Sequence, residues 1–212
     1  MKLFTHQNET ITFLNKVNRA YIASTAGCGK SACIVKDIAH RLNANPRSKS
    51  LILAPKSLLE TVWKNEFNLW EPTITVTVGV APAAKREAAF NKDVNVYITN
   101  IDALKWLSTK PHSFWKDFET VVIDESTALG GDSLRTRAAL KISKHFKYRR
   151  CMSGTPTNGF LTKLFYQYKF LDDGAHLGIN YNNFRDKVMV AKQTGPGPEM
   201  VTWTNRPGKD EV

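Results

Sequence analysis

Eight residues, Ser24-Thr25-Ala26-Gly27-Cys28-Gly29-Lys30-Ser31, constrain this chain more than any others. Gly27 and Gly29 let the backbone curl until successive N–H groups point into one small concavity. Such a concavity suits phosphate oxygens, and a helix opening at Lys30 adds its positive N-terminal end. Arg19 to Ala23 reads as a short strand entering the loop. Beyond it Ala32, Ile34, Val35, Ile38, Ala39 and Leu42 recur at helical spacing. A strand, a glycine loop and a helix in that order are the context in which this pattern takes a nucleoside triphosphate. Lys30 is placed to reach the β- and γ-phosphates, and Ser31 to hold Mg²⁺ through its hydroxyl. Thr25, Ala26, Gly27, Cys28 and Gly29 form the cradle between them. The expected ligands are ATP and Mg²⁺. Ser24 stands where the pattern has glycine, and a chance glycine-rich turn is the competing reading.

The rest of the chain alternates between strand and helix. Leu51 to Ala54 reads as a buried strand stopped by Pro55. Ser57 and Glu60 have the spacing of a capping box ahead of Val62, Trp63 and Phe67. Ile74, Val76 and Val78 alternate with threonines; Ala83 to Phe90 reads as a helix, Val94 to Thr99 as a strand and Ile101 to Leu107 as a short helix. Val121-Val122-Ile123 is a buried strand ending in Asp124-Glu125. Leu134 to Phe146 follows as a basic amphipathic helix, Tyr148 to Met152 as a strand, and Leu161 to Leu171 as an aromatic-rich helix. This alternation predicts an α/β fold with a mostly parallel central sheet flanked by helices on both faces. Residues 1–190 are expected to form that domain. Residues 191–212, rich in Pro and Gly, read as a linker or tail.

The formal net charge is +11, from 30 Lys+Arg against 19 Asp+Glu. A basic surface attracts polyanions, of which nucleic acid is the commonest, although a merely soluble basic protein has the same balance. Cys28, Cys33 and Cys151 fit no metal-ligand spacing, and an odd count in a chain of 212 residues argues against a disulfide framework. No apolar run approaches the roughly 20 residues of a membrane helix, and the start lacks a signal-peptide core. The expectation is a protein of a reducing cytoplasm, with no membrane partner.

Two further segments carry chemistry. The strand before Asp124 delivers it to the carboxyl edge of the sheet, beside the phosphate loop, where it can hold Mg²⁺ directly or through water. Glu125 is then placed to orient and deprotonate an attacking water. Ser153-Gly154-Thr155-Pro156 lies just past another strand end, so the Ser153 and Thr155 hydroxyls could sense the γ-phosphate region. On spacing alone an ordinary turn explains that segment as well.

Taken in order, these segments resemble the core of helicase superfamily two, and most closely its Swi/Snf-type translocases of double-stranded DNA. Phe4, His6 and Gln7 are similar to that family's adenine-recognition motif, and Ser24 to Ser31 to its motif I. Leu51 to Leu59 followed by Trp63-Lys64-Asn65-Glu66-Phe67 resembles motif Ia, and Thr99-Asn100 with Asp102-Ala103-Leu104 resembles motif Ib. Val122-Ile123-Asp124-Glu125-Ser126 is similar to motif II, with Ser126 where many relatives carry another residue. Ser153 to Pro156 is similar to motif III, and Phe170-Leu171-Asp172 with Asn183-Phe184-Arg185 resembles the segment after it. The likeness extends over residues 3 to 190. It implies a RecA-like first motor domain, of the compact kind found in bacteria and bacteriophages, acting in the cytoplasm of a bacterium or phage-infected host.

The resemblance also implies that Gln7 contacts adenine, and that Lys56, Ser57, Thr99 and Asn100 touch the nucleic-acid backbone. Such contacts position a protein without reading sequence. Lys56 reads equally as a solvated turn residue, and Thr99 and Asn100 as a helix cap. Arg135, Arg137, Lys141, Lys144, Lys147, Arg149 and Arg150 form a second basic group, for most of which a solvated face is the simpler reading. Trp63, Trp70, Trp106 and Trp115 suggest base stacking, but most sit at apolar helical positions, and core packing is the better reading. Only 54 residues follow Asn158, whereas a second RecA-like domain needs on the order of 100. The expected enzyme is therefore an ATP hydrolase whose efficient turnover needs a second RecA-like domain in cis or trans, and the chain reads as a piece of a longer motor. A stand-alone, non-catalytic DNA- or protein-binding module is the alternative.

Overall fold

The computed structural model describes residues 2–197 and 199–208. Its centre is a six-stranded sheet, every neighbouring pair parallel. The strands are β1 (Arg19–Ala23), β2 (Lys49–Ala54), β3 (Val76–Gly79), β4 (Val96–Asn100), β5 (Phe118–Asp124) and β6 (Tyr148–Ser153), in the order β1-β6-β5-β2-β4-β3. Helices α1 (Thr5–Lys16), α2 (Lys30–Ala44), α3 (Asn65–Trp70), α4 (Ala83–Phe90), α5 (Leu104–Leu107), α6 (Leu134–Ser143), α7 (Leu164–Asp172) and α8 (Tyr181–Val188) surround it.

Strand side chains alternate between faces, and the sheet is covered on both. Ile22, Ile52, Ile98, Val122 and Met152 face α1, α2, Trp63 and Phe67 in one core. Leu51, Leu53, Tyr97, Val121, Ile123 and Cys151 face the other core with Leu104, Ala139, Ile142 and Phe170. Burial on both sides explains why β2 and β5 read as unbroken apolar runs. Trp63 and Trp115 lie in these cores, and Trp70 and Trp106 pack against them half-buried.

Three local readings change. Ser57 does not cap a helix: it lies inside a tight 3-10 turn, Lys56–Leu58, which runs into one π turn, Leu59–Lys64, and then α3. Its carbonyl instead accepts the Thr61 hydroxyl, at 2.6 Å. Across the start of the stretch read as a linker, β7 (Met189–Gln193) pairs with β8 (Val201–Asn205) as an antiparallel hairpin, mostly exposed and separate from the main sheet. Pro198 and residues 209–212 of that stretch lie outside the described residues. Finally, α1 carries few apolar residues and so left little helical signature; only Gln7 and Leu14 of it are buried. Among the described residues no helix is long and apolar enough to cross a membrane.

Parallel strands end on one side. Ala23, Ala54, Asn100, Asp124 and Ser153 therefore share the carboxyl edge, with Ala23 level with Ser153 and Ala54 level with Asn100.

Candidate nucleotide and nucleic-acid site

The glycine loop of residues 24–31 leaves β1 at this edge. Gly27 and Gly29 adopt φ of 82° and 71°, the left-handed region that glycine enters at no steric cost. Gly29 is also the residue before α2, and a Cβ there would strike the Gln7 side-chain amide. Gln7 is nearly buried and joins two elements. Its Oε1 accepts the Phe4 N–H at 2.9 Å, closing the first turn of α1, and its Nε2 donates to the Cys28 carbonyl at 3.4 Å. His6 Nε2 lies 3.1 Å from the same carbonyl, and the exposed Phe4 ring stacks on His6 at 5.9 Å. Lys30 Nζ donates to the Ser24 and Thr25 carbonyls, at 2.5 and 2.9 Å. Thr25, Ala26 and Gly27 are exposed, and Cys28, Gly29, Lys30 and Ser31 half-buried.

Asp124 ends β5 and is almost wholly buried. Each of its oxygens has a donor: the Trp63 indole N–H reaches Oδ2 at 2.9 Å, and the Glu125 backbone N–H reaches Oδ1 at 3.0 Å. Burial pushes its carboxyl above the usual carboxylate range; the Trp63 hydrogen bond opposes this, the Glu125 charge adds to it, and Lys30 also opposes it. Glu125 then takes φ 52° and ψ 57°, a left-handed conformation that an L-residue holds only at a cost of roughly 1–2 kcal/mol. That turn sets its carboxylate beside β6, where Ser153 Oγ donates to Oε2 at 3.2 Å. The same Ser153 Oγ accepts the Thr155 N–H at 3.1 Å, so the segment after β6 closes on motif II. A Cβ on Gly154 would stand 3.7 Å from the Ala26 nitrogen, so that segment also flanks the phosphate loop.

Ser31 and Asp124 offer hard oxygens, a hydroxyl and a carboxylate. Among the described residues no group of three or more His, Cys, Asp or Glu side chains could enclose a metal. Mg²⁺ does not require one, because it binds through one or two carboxylates, water and substrate phosphates. The residues present fit that ion in company with a nucleotide.

A groove runs from Glu125 along the same edge, lined by Lys56, Asn100, Arg135, Asn158 and Lys163 among others. Lys56 and Ser57 are exposed beside it. Thr99 is not part of this surface. It is fully buried in β4, with its hydroxyl donated to the Gly79 carbonyl at 2.5 Å. A strand-interior position beside β3 explains this, and the predicted nucleic-acid contact at Thr99 is withdrawn. Asn100 is mostly buried, its Nδ2 donating to Asp102 at 3.1 Å. Arg149 and Arg150, read with the basic group, are buried as well.

The sequence reading missed two features. One is the polar contact of Trp63, whose apolar helical position suggests packing but not a hydrogen bond to Asp124. The other is Ser126, whose place after Asp124-Glu125 gives no sign of its partners. It is fully buried, 2.8 Å from the Tyr21 hydroxyl, and donates to Gln167 Oε1 at 2.7 Å; Gln167 Nε2 donates in turn to the Pro156 and Lys163 carbonyls. Ser126 thus ties motif II to the loop after β6.

A family profile described as the SNF2-related domain matches residues 6–193. The chain belongs to this family. Among relatives of the SNF2-related domain, protein p41 of Acyrthosiphon pisum secondary endosymbiont phage 1 is 30% identical over 200 residues, covering 88% of this chain and 43% of that protein. The Arabidopsis thaliana "Probable ATP-dependent DNA helicase CHR23" is 27% identical over 183 residues, covering 83% of this chain and 16% of its own length. The chain thus spans less than half of either relative. In fold it is similar to the Sulfolobus solfataricus SWI2/SNF2 ATPase core in complex with dsDNA, with a TM-score of 0.73 and 22% identity over 89% of this chain and 39% of that one. The UvsW helicase from bacteriophage T4 has a TM-score of 0.60 and 15% identity, covering 81% of this chain and 58% of its own. The central domain is therefore a RecA-like SNF2 ATPase fold.

Proposed function

We propose that this domain is the ATP-binding half of a DNA-dependent ATPase of the helicase or translocase type, working in the cytoplasm. The observation that carries the reading is convergence. Lys30 and Ser31, in the loop after β1, share one sheet edge with Asp124 and Glu125 after β5 and with Ser153 at the end of β6.

In this reading Lys30 exchanges the Ser24 and Thr25 carbonyls for β- and γ-phosphate oxygens, and the loop N–H groups of residues 25–30 take the remainder. Ser31 and Asp124 hold Mg²⁺, which when bound neutralises charge on the phosphate oxygens as the bond to the γ-phosphate breaks. Glu125, fixed through Oε2 by Ser153, takes the proton of the attacking water on Oε1. Phe4 and His6 offer an exposed stacked pair to the adenine, beside Gln7. Ser153 and Thr155 relay the state of the phosphate to the loop after β6. Lys56, Ser57 and Asn100 contact the DNA backbone, joined by Arg135 and Lys163 along the groove. The dsDNA in the Sulfolobus complex supports double-stranded DNA as the partner.

The phosphate-facing residues all lie on one open edge, which supports a second RecA-like domain, in cis or trans, as the source of the opposing charge. Arginine fingers in phosphoryl-transfer enzymes contribute on the order of 10³–10⁵ in rate. The test is ATPase measured with and without duplex DNA, before and after adding a second RecA-like domain. Turnover should be low for the chain alone, rise when both are added, and vanish with Lys30→Ala. Nucleotide binding with no turnover under any of these conditions would instead assign a non-catalytic module.

A further inference from the structure

Trp63 lies in the middle of the segment that follows β2, and its surroundings give it two attachments. Its ring is fully buried among the α2-side core residues. Its one polar atom points out of that core and donates to Asp124 Oδ2 at 2.9 Å. With the Glu125 N–H on Oδ1, this fixes the plane of the Asp124 carboxylate. A buried carboxylate without such donors would lose its hydrogen-bonding at a cost to its charged form.

The second attachment is along the chain. Lys56 and Ser57 open the same segment, seven and six residues ahead of Trp63; both are exposed, and Lys56 lines the groove that reaches Glu125. Between them and Trp63 the backbone is a 3-10 turn followed by a single π turn, bounded by α3. Side-chain bonds brace this irregular winding: Thr61 Oγ1 to the Ser57 carbonyl, and Asn65 Nδ2 to the Thr61 carbonyl at 3.0 Å. Short π turns recur at functional positions, because an extra residue in a turn re-aims the side chains around it. Here the re-aimed side chain is the one that touches Asp124.

We propose that Trp63 is a positioning residue that holds Asp124 for Mg²⁺ and joins it to the Lys56–Ser57 nucleic-acid surface. DNA engaged there changes how tightly metal and nucleotide are held, and by thermodynamic reciprocity bound Mg²⁺·nucleotide changes the affinity for DNA. The proposal rests on reading this edge as the Mg²⁺·ATP site.

The test measures the affinity of the full chain for a fluorescent ADP in Mg²⁺ and in EDTA, each with and without duplex DNA. The wild type, Trp63→Phe, Asp124→Asn and the double variant are compared. Wild type should bind more tightly in Mg²⁺, and DNA should alter that affinity. Trp63→Phe should lose about tenfold of the Mg²⁺-dependent gain, the size expected of one hydrogen bond to a charged group. It should leave affinity in EDTA unchanged, lose the response to DNA, and add nothing in the Asp124→Asn background. Equal loss in Mg²⁺ and EDTA would show a packing role only and overturn the proposal, as would wild-type behaviour of Trp63→Phe. A wild type indifferent to Mg²⁺ would overturn the underlying site assignment instead. A measurement on the unaltered ring guards against misfolding of the variant. The indole N–H resonance of Trp63, identified by its response to Asp124→Asn, should move when DNA is added without nucleotide. A resonance blind to DNA overturns the coupling.

Discussion

Asp37 on α2 and Arg150 on β6 carry opposite charges into the interior, both fully buried. Arg150 Nε donates to Asp37 Oδ2 at 2.9 Å, Arg41 donates to Oδ1 at 3.1 Å, and Arg150 also serves the Asn18, Leu14 and Val17 carbonyls at the end of α1. Removing one partner of such a group strands a buried charge, at a cost of about 3–5 kcal/mol. Asp37→Ala should therefore lower the urea midpoint by that much stability, whereas a distant surface aspartate, Asp93→Ala, should shift it within about 0.5 kcal/mol. This network shows where residue-scale reading runs out. Arg149 and Arg150 stand in a run of basic residues that reads as solvated, because the partners that let them be buried lie on other elements. Thr99 misleads in the same way: its hydroxyl suits a cap or a phosphate, but its place in β4 assigns it to the Gly79 carbonyl. The positions of Lys30, Ser31, Asp124 and Glu125 are set by a loop and a strand end, both local properties, so their place on the sheet edge is readable from sequence.

Between elements, caps distinguish two serines that look alike in sequence. Ser133 precedes α6, and its Oγ accepts the Thr136 N–H at 3.2 Å. Ser57 has no such bond, since the winding after it is 3-10 and then π. Ser133→Ala should cost about 1 kcal/mol in denaturant unfolding. Ser57→Ala should leave stability within about 0.5 kcal/mol of the parent while weakening DNA binding, as followed by anisotropy. Apolar periodicity placed every strand of the main sheet and the helices α2, α4, α6 and α7 to within a few residues. It failed where periodicity is weak: α1, with mostly exposed polar positions, and the β7–β8 hairpin. The hairpin is held by neighbours a Pro/Gly composition does not reveal. Arg185 stacks on Trp203 at 4.0 Å, and Asn205 Nδ2 donates to the Gly159 carbonyl at 3.0 Å.

At the scale of the molecule, the net charge of +11 and the placement of Lys56, Arg135 and Lys163 on one groove bear on how affinity responds to salt. If these three cations each displace one counterion, affinity for duplex DNA should fall roughly 40-fold between 50 and 200 mM salt. A flat response would remove the groove as a backbone-tracking surface. The parallel sheet that sets Ala23, Ala54, Asn100, Asp124 and Ser153 on one edge also governs how the domain is made. Asn18, at the entry to β1, and Arg150, in its neighbour β6, are joined across 132 residues of chain. On a ribosome the phosphate loop would emerge early yet wait for β6 before its flanking strand is paired. Folding dominated by such distant pairings is slow. Until β6 is made β1 has no partner strand, so the loop that leaves β1 lacks its flanking segment until the last strand of the main sheet has been translated.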